Sequence, residues 1–313
     1  MSRYVTVASV SLSPIYTYEK DLPAGATMTD RILEMLEREI RPVLHDKPDL
    51  IVLPEYCDLL YGGVVADSVR LQQENGERIQ KYLQDLARKN RCYITYPSRI
   101  VLPDGTARNM VRMIDRDGVV MGTYHKNYVM VTETENFNIL AGRDIPVFSC
   151  DFGRVCALLC FDLNFEENRK RVKKLKPDIT VFCSRFHGSF QQNFFAYDTR
   201  SYFVSALAKL PCDVLSPLGE KIAGSTNYYP YVTTKINLDY AVCHLDFNES
   251  KFQAAKETYG DKIRIHDPGF LGSVLLTSET EAFSIRRVLR EFEIEELDDY
   301  MARSQRHRKQ NME

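Results

Sequence analysis

The sequence from Arg154 to Glu167 is Arg-Val-Cys-Ala-Leu-Leu-Cys-Phe-Asp-Leu-Asn-Phe-Glu-Glu. Its apolar run, Val155 to Leu159, is typical of a buried strand and stops at Cys160, where polar and acidic residues lead into a helical pattern. A thiol at such a turn is well placed to be a nucleophile, because its sulfur projects from the strand end towards the N–H groups of the next helix. A cysteine at a strand end is more often a small apolar core residue, so the nucleophile interpretation needs support from other segments.

The composition of the chain limits the class of protein. It has 313 residues, of which 44% are hydrophobic and 27% charged, enough for one large globular domain or two medium ones. A formal net charge of -2 gives no indication of a nucleic-acid partner, and no apolar run reaches the length of a membrane span. The eight cysteines have no CxxC pair or metal-ligand spacing, and the first residues lack the apolar core of a signal peptide. We therefore expect a cytoplasmic protein with free thiols, no metal and no membrane or nucleic-acid partner.

Strand and helix patterns alternate along most of the chain. Apolar or alternating runs predict strands over residues 4–12, 48–55, 92–101, 111–114, 119–124, 146–150, 154–160, 178–183, 213–216 and 240–245. Helical spacing predicts helices over residues 30–45, 76–89, 166–175, 194–210 and 281–301, while residues 125–143 show no clear periodicity. Since several strands are joined by tight hairpins, this order indicates an α/β protein with a mixed sheet, or two, covered by helices.

Three predicted strands end at a reactive side chain: Glu55, Lys126 and Cys160. Taken singly, a turn carboxylate, a surface lysine and a core thiol are the commoner explanations. Together they form a set with a chemical logic, because a thiol is mostly protonated at neutral pH and needs a base or a cation beside it. The carboxylate is suited to take the thiol proton and later to activate water, and the ammonium to hold an oxyanion.

Residues 4–247 resemble the nitrilase, or carbon–nitrogen hydrolase, superfamily, whose members share a Glu-Lys-Cys triad. Ile51-Val-Leu-Pro-Glu55 is similar to the motif of the general base, Gly122-Thr-Tyr-His-Lys126 to the segment of the lysine, and Leu158 to Glu167 to the nucleophile motif. The resemblance implies that Glu55, Lys126 and Cys160 are catalytic. It also implies a four-layer αββα sandwich with two mixed β-sheets, and a reaction that needs no metal or organic cofactor.

Many members of this superfamily have a second glutamate, between the lysine and the nucleophile, that orients the lysine. Glu133 and Glu135 both lie in that stretch. We prefer Glu135, because it precedes Gly142 by seven positions, a spacing similar to that of the family. Both acids also fit the simpler description of solvated loop residues.

The sequence departs from the family where relatives line their substrate pocket. The candidate substrate-binding residues are Phe161, whose backbone N–H is expected to hold the oxyanion, Asn164, Arg185, Phe186 and His187. Arg185 and His187 are suited to accept a carboxylate, which favours an N-carbamoyl amino acid or an ω-amide as substrate. An equal alternative is that Arg185 is a rim residue paired with solvent or a local acid.

The predicted activity is hydrolysis of a non-peptide C–N bond, in a small amide or N-carbamoyl compound, through a cysteine thioester. Alternatives are an acyl- or amidotransferase that uses the same thioester, a true nitrilase, and a non-catalytic scaffold. We expect a carbon–nitrogen hydrolase domain over residues 1–280 and a helical tail over 281–313. By analogy with relatives, that tail packs on a partner subunit and the protein is a homo-oligomer.

Overall fold

The computed structural model describes residues 1–12, 24–59, 67–209 and 211–312, and for residues 67–70 only the backbone. The strands are β1 (Tyr4–Val10), β2 (Leu50–Val52), β3 (Tyr93–Val101), β4 (Ala107–Ile114), β5 (Val120–His125), β6 (Phe148–Cys150), β7 (Gly153–Leu159), β8 (Ile179–Ser184), β9 (Tyr202–Leu207), β10 (Asp213–Leu215), β11 (Lys221–Gly224), β12 (Tyr231–Asn237), β13 (Tyr240–His244), β14 (Ile263–His266) and β15 (Ser273–Ser278). The helices are α1 (Met28–Leu44), α2 (Asp67–Asn75), α3 (Arg78–Asn90), α4 (Val131–Phe137), α5 (Glu166–Leu175), α6 (Phe190–Thr199), α7 (Glu249–Tyr259), α8 (Ile285–Glu291) and α9 (Leu297–Gln310). No helix in these ranges is long and apolar enough to cross a membrane.

The first large sheet has the strand order β12-β1-β2-β3-β4-β5. β1, β2 and β3 are parallel, whereas β3, β4 and β5 form antiparallel hairpins. The turn between β4 and β5 needs a glycine, because Gly118 has a left-handed φ of +74° and a Cβ there would lie 2.5 Å from the backbone oxygen of Gln84. The hairpins carry β5 to its end at His125, directly before Lys126.

The second large sheet has the order β11-β10-β9-β8-β7-β6, and β7, β8 and β9 are parallel. The two sheets face each other, with β2 close to β9 and β4 close to β7. The Ser9 hydroxyl donates a hydrogen bond across this interface to the Ser205 carbonyl, at 2.6 Å. Buried residues of α1 and α3 pack on the first sheet, and α6 packs against β9 of the second. The four-layer αββα sandwich with two mixed sheets is therefore confirmed.

The chain divides into two compact units. The larger unit, residues 6–234, contains both large sheets apart from the outer ends of β1 and β12. The smaller unit, residues 1–5 and 235–313, contains the sheet β13-β15-β14 and helices α7, α8 and α9. The predicted tail, residues 281–313, lies in this smaller unit, and a domain boundary at residue 280 stays a prediction.

The structure corrects the prediction of a helix over residues 194–210. It shows α6 ending at Thr199, with Arg200 in a left-handed conformation, and then the buried strand β9. A fully buried strand has no polar face, so its continuous apolar pattern is the same as that of a buried helix. Leu210, the end of the predicted helix, lies outside the described residues.

Two further predictions differ from the structure. The stretch 125–143, which shows no periodicity, contains the seven-residue helix α4. The single helix predicted over 281–301 is instead α8 and α9, separated by a turn with Glu293 at a φ of +52°. The sequence patterns also left α2, α7, β11, β12, β14 and β15 unpredicted.

Candidate active site

The three strand ends place Glu55, Lys126 and Cys160 in the larger unit. Glu55 follows β2 and is 3% exposed, and Lys126 follows β5 and is 1% exposed. The backbone N–H of Lys126 donates to the Asn109 carbonyl at 2.9 Å, which fixes the lysine against β4. Cys160 directly follows β7 with a left-handed φ of +45° and opens a 3-10 turn that runs to Asn164. Positive φ is uncommon in residues other than glycine, so this sharp turn is a strained position of the kind found at functional sites.

The Lys126 ammonium is bound by two carboxylates. Its Nζ lies 3.2 Å from Glu55 Oε1, and 3.0 and 2.9 Å from the two carboxylate oxygens of Glu133. Burial disfavours the charge on Lys126, but the Glu55 and Glu133 carboxylates outweigh burial and hold the pKa of Lys126 above its usual value. The lysine is therefore a fixed positive charge, suited to stabilise an oxyanion.

The charges of Glu55 and Lys126 act in opposite directions on the pKa of the Cys160 thiol. Burial and the Glu55 carboxylate raise the pKa of Cys160 to about 12, although the Lys126 ammonium and hydrogen bonds with the Ser184 side chain and the Arg185 backbone act to lower it. At neutral pH the free thiol is thus protonated and needs a base during attack. Glu55, whose Oε1 lies 3.2 Å from the Lys126 ammonium, is suited to that role.

Asp162 holds the turn that carries the nucleophile. This fully buried carboxylate accepts hydrogen bonds from the Tyr124 hydroxyl at 2.6 Å and from the backbone N–H of Tyr128 at 2.8 Å and of Leu159 at 3.0 Å. It thereby ties the end of β7 to the segment that follows Lys126. Burial raises the pKa of Asp162 to about 6, against the opposing effect of these donors.

The structure corrects the preference for Glu135 as the carboxylate that orients the lysine. Glu133 contacts Lys126, whereas Glu135 is exposed. The reason is α4: Glu133 is its third residue, and Glu133 Oε2 also accepts from the Met130 N–H at 2.8 Å, which turns the carboxylate towards the helix start and Lys126. The useful signal would have been a glutamate in the first turn of a helix.

Of the five predicted substrate-binding residues, Phe161 and Asn164 follow Cys160 along the chain, and Arg185 hydrogen-bonds its thiol through the backbone. Phe161 and Asn164 are in the 3-10 turn, where Asn164 Nδ2 donates to the Phe161 carbonyl at 3.1 Å. The exposed Arg185 follows β8 with its guanidinium 5.9 Å from the centre of the Tyr56 ring, while Phe186 is bound to Ser184 by two hydrogen bonds. His187 is engaged by its own neighbours, since Nε2 lies 3.4 Å from Asp213 Oδ2 and Nδ1 accepts from the Ser189 N–H at 3.0 Å. Of the two residues expected to bind a carboxylate, Arg185 is the one whose backbone hydrogen-bonds the Cys160 thiol.

The sequence did not single out Tyr56, although it follows Glu55 directly. Its hydroxyl donates to Glu133 Oε1 at 3.0 Å and accepts from Asn109 Nδ2 at 3.0 Å. Asn109 Nδ2 also donates to Glu55 Oε1 at 2.8 Å. Within the described ranges, no group of three or more His, Cys, Asp or Glu side chains is arranged to hold a metal ion.

Comparison with known proteins gives the family. The carbon–nitrogen hydrolase family model matches residues 6–195. The 2-oxoglutaramate amidase of Bacillus subtilis is 27% identical over 119 residues, which are 38% of this chain and 45% of that protein. The deaminated glutathione amidase of Dictyostelium discoideum is 24% identical over 169 residues, which are 49% of this chain and 56% of that protein. The chain therefore spans about half the length of the curated relatives it matches.

The solved structures support the same fold. The NitFhit protein of C. elegans superimposes with a TM-score of 0.64 at 18% identity, over 82% of this chain and 64% of that chain. At this identity the likeness concerns the fold alone. Because the family model covers more than half of the chain, the protein belongs to the carbon–nitrogen hydrolase family.

Proposed function

We propose that the protein hydrolyses a small amide through a thioester on Cys160. The observation that carries this proposal is the buried Lys126 ammonium held between Glu55 and Glu133. Cys160 lies close enough for the charges of Glu55 and Lys126 to affect the pKa of its thiol. Such a group has a base, a cation and a nucleophile in one place, which is what acyl transfer to a thiol requires. A non-catalytic scaffold would have no need of a buried ammonium between two carboxylates, which is costly to bury.

In the first half of the reaction, Glu55 takes the thiol proton as the Cys160 sulfur attacks the amide carbon. The oxyanion that forms is stabilised by Lys126 and by the backbone N–H of Phe161. Glu55 then gives its proton to the leaving nitrogen, the C–N bond breaks, and ammonia or an amine departs. In the second half, Glu55 deprotonates a water that attacks the thioester, the C–S bond breaks, and the proton returns to sulfur.

For the substrate, we propose an ω-amide whose far end carries a carboxylate. Arg185 supports this choice, because its backbone hydrogen-bonds the Cys160 sulfur and its exposed side chain lies beside the site. A guanidinium suits a carboxylate through paired hydrogen bonds. The names of the two relatives, 2-oxoglutaramate amidase and deaminated glutathione amidase, also support an amide substrate that bears carboxylates. N-carbamoyl amino acids share the carboxylate and are the second class to test.

Ammonia release tests the proposal. The wild-type protein is supplied with ω-amides of dicarboxylates, neutral amides of equal length, nitriles and N-carbamoyl amino acids. We expect the ω-amides to react fastest, Cys160→Ala to be inactive and Cys150→Ala to be unaffected. Cys150 is the matched control, because it is also partly exposed and burial raises its pKa to about 12. Activity that survives in Cys160→Ala, or a folded wild type inactive on every compound, would contradict the proposal.

Hydroxylamine separates hydrolysis from acyl transfer. If water is the natural acceptor, added amines compete poorly and free carboxylate is the main product. A predominance of transfer product at low amine concentration would make the protein an acyltransferase with the same thioester. A cytoplasmic location and assembly as a homo-oligomer stay predictions; the eight free cysteines support the first.

A further inference from the structure

Tyr56 and Asn109 form a hydrogen-bonded link between the two carboxylates of the site. The Tyr56 hydroxyl donates to Glu133 Oε1 at 3.0 Å, Asn109 Nδ2 donates to the Tyr56 oxygen at 3.0 Å, and the same Nδ2 donates to Glu55 Oε1 at 2.8 Å. Lys126 closes the ring by contacting both glutamates. Every step in this ring is within ordinary hydrogen-bond distance.

The chemistry of these groups fixes the direction of each bond. A carboxylate only accepts, so the Tyr56 hydroxyl must donate its hydrogen bond to Glu133, and the Asn109 amide must turn its nitrogen to Glu55. Burial, with the Glu55 and Glu133 charges, raises the pKa of Tyr56 well above its usual value, so the hydroxyl keeps its proton. Asn109 Oδ1 has no partner, which shows that the amide is committed to donating.

The link engages one of the two oxygens of the Glu55 carboxylate. Glu55 Oε1 accepts from both Lys126 and Asn109, whereas Oε2 is free of those two donors. The backbone contributes, because Tyr56 has a left-handed φ of +59°, and this turn lets adjacent side chains both reach Asn109. A bulky residue in this conformation is held at a cost, as is common where side chains are set for function.

We infer that Tyr56 is a positioning residue: acting through Asn109, it holds Glu55 so that Oε2 faces the thiol proton of Cys160. It also holds Glu133 against Lys126 from the opposite side. This inference deepens the proposed function, since Glu55 is the base there, but its test does not depend on finding the substrate. The charged and titratable groups around the two glutamates are Lys126, Tyr56, Cys160, Cys183, Arg99 and Arg185.

The test is the rate at which iodoacetamide alkylates Cys160, measured by mass spectrometry across pH in wild type and Tyr56→Phe. We expect the rate at neutral pH to fall roughly 10- to 100-fold, because misplacing a reacting group by about 1 Å has an effect of that size. We also expect the acid limb of the profile to move to higher pH, because Glu133, which shares Lys126 with Glu55, loses its Tyr56 hydrogen bond, and a carboxylate with fewer donors binds its proton more tightly.

The matched control is Tyr96→Phe. Tyr96 is also a buried tyrosine that donates to a carboxylate, Asp58, at 3.2 Å, but it contacts neither Glu55 nor Glu133. We expect Tyr96→Phe to leave the alkylation rate and its acid limb unchanged, even if it lowers the melting temperature as much as Tyr56→Phe does. The inference is overturned if Tyr56→Phe is folded and has the wild-type profile, or if both variants change it equally.

Asn109→Ala keeps the inference falsifiable if Tyr56→Phe is poorly folded, because it removes the link at its other member and should also slow the alkylation of Cys160. In the double mutant, Tyr56→Phe should have a smaller effect than it has alone, because only its contact with Glu133 then remains to be lost. Independent, multiplying effects would show that the two residues do not act as one link. If no amide is hydrolysed but this coupling is present, the proposed substrate class fails while the positioning role stands.

Discussion

Lys126 Nζ lies 2.9 Å from Glu133 Oε2, and both side chains are buried. Glu133, rather than Glu135, is therefore the second glutamate that contacts the lysine. The neutral substitution Glu133→Gln keeps the shape but removes one of the two charges that hold the ammonium. We therefore expect kcat to fall by roughly 10²-fold or more, since a positioned charge has effects of that order on catalysis.

The control for this prediction is built into the same helix. Glu135→Gln changes an exposed residue of α4 by the same single group. It should leave kcat, KM and the melting temperature at wild-type values, because exposed substitutions away from special contacts rarely alter stability by more than about 0.5 kcal/mol. If Glu135→Gln lowers kcat and Glu133→Gln does not, the assignment of Glu133 is wrong.

Asp162→Asn should destabilise the turn that carries Cys160. Both carboxylate oxygens accept from backbone N–H groups, and an amide would turn its own N–H₂ towards one set of these donors. Leaving buried groups unpaired costs about 1–3 kcal/mol each. Urea unfolding at neutral pH should show this loss, and Asn164→Ala, which removes a single exposed hydrogen bond in the same turn, should show a smaller one.

The same aspartate gives a pH-dependent prediction with a definite sign. Burial raises the pKa of Asp162 from 3.8 to about 6, so the folded state binds this proton more tightly than the unfolded state. Its contribution to stability is therefore complete below pH 3.8 and is lost as the pH rises through about 6. The stability difference between wild type and Asp162→Asn should accordingly change in favour of the variant from pH 4 to pH 7. A constant or oppositely signed difference in urea unfolding would contradict this.

Arg185→Ala tests the proposed carboxylate contact. We expect KM for a carboxylated ω-amide to rise by roughly tenfold, as expected for a partly exposed hydrogen bond between charged groups worth about 1.5 kcal/mol. KM for a neutral amide of equal length should not change, because the altered residue contacts only the far end of the substrate. Equal effects on both amides would show that Arg185 supports the backbone at Cys160 instead.

The sequence was sufficient for the sandwich and for the segments that carry three of the candidate catalytic residues. Lys126 and Cys160 directly follow a strand, and Glu55 comes three residues after one, so a change of pattern marks each of them. Glu133 was misjudged because α4 has only seven residues, too few to show a helical period. β9 was mistaken for helix because all six of its residues are buried.

The link between the carboxylates could not be predicted in the same way. Tyr56 and Asn109 are 53 positions apart and meet only because β2 and β4 lie in one sheet, with β3 between them. In the sequence, nothing distinguishes a tyrosine that will hydrogen-bond the two carboxylates from one that only lines the pocket. Such contacts follow from the register of strand pairs, which the single sequence does not give.

The most direct test of the account is the alkylation of individual cysteines by iodoacetamide in wild type and in Glu55→Gln. Cys160 and Cys150 are both partly exposed, and the pKa of each is raised to about 12, so accessibility and acidity alone predict similar rates. If Glu55 is the base for Cys160, that thiol should react much faster than Cys150 at neutral pH, and Glu55→Gln should remove the difference. Equal labelling of the two thiols in the folded wild type, or a fast Cys160 that is unaffected by Glu55→Gln, would contradict the account.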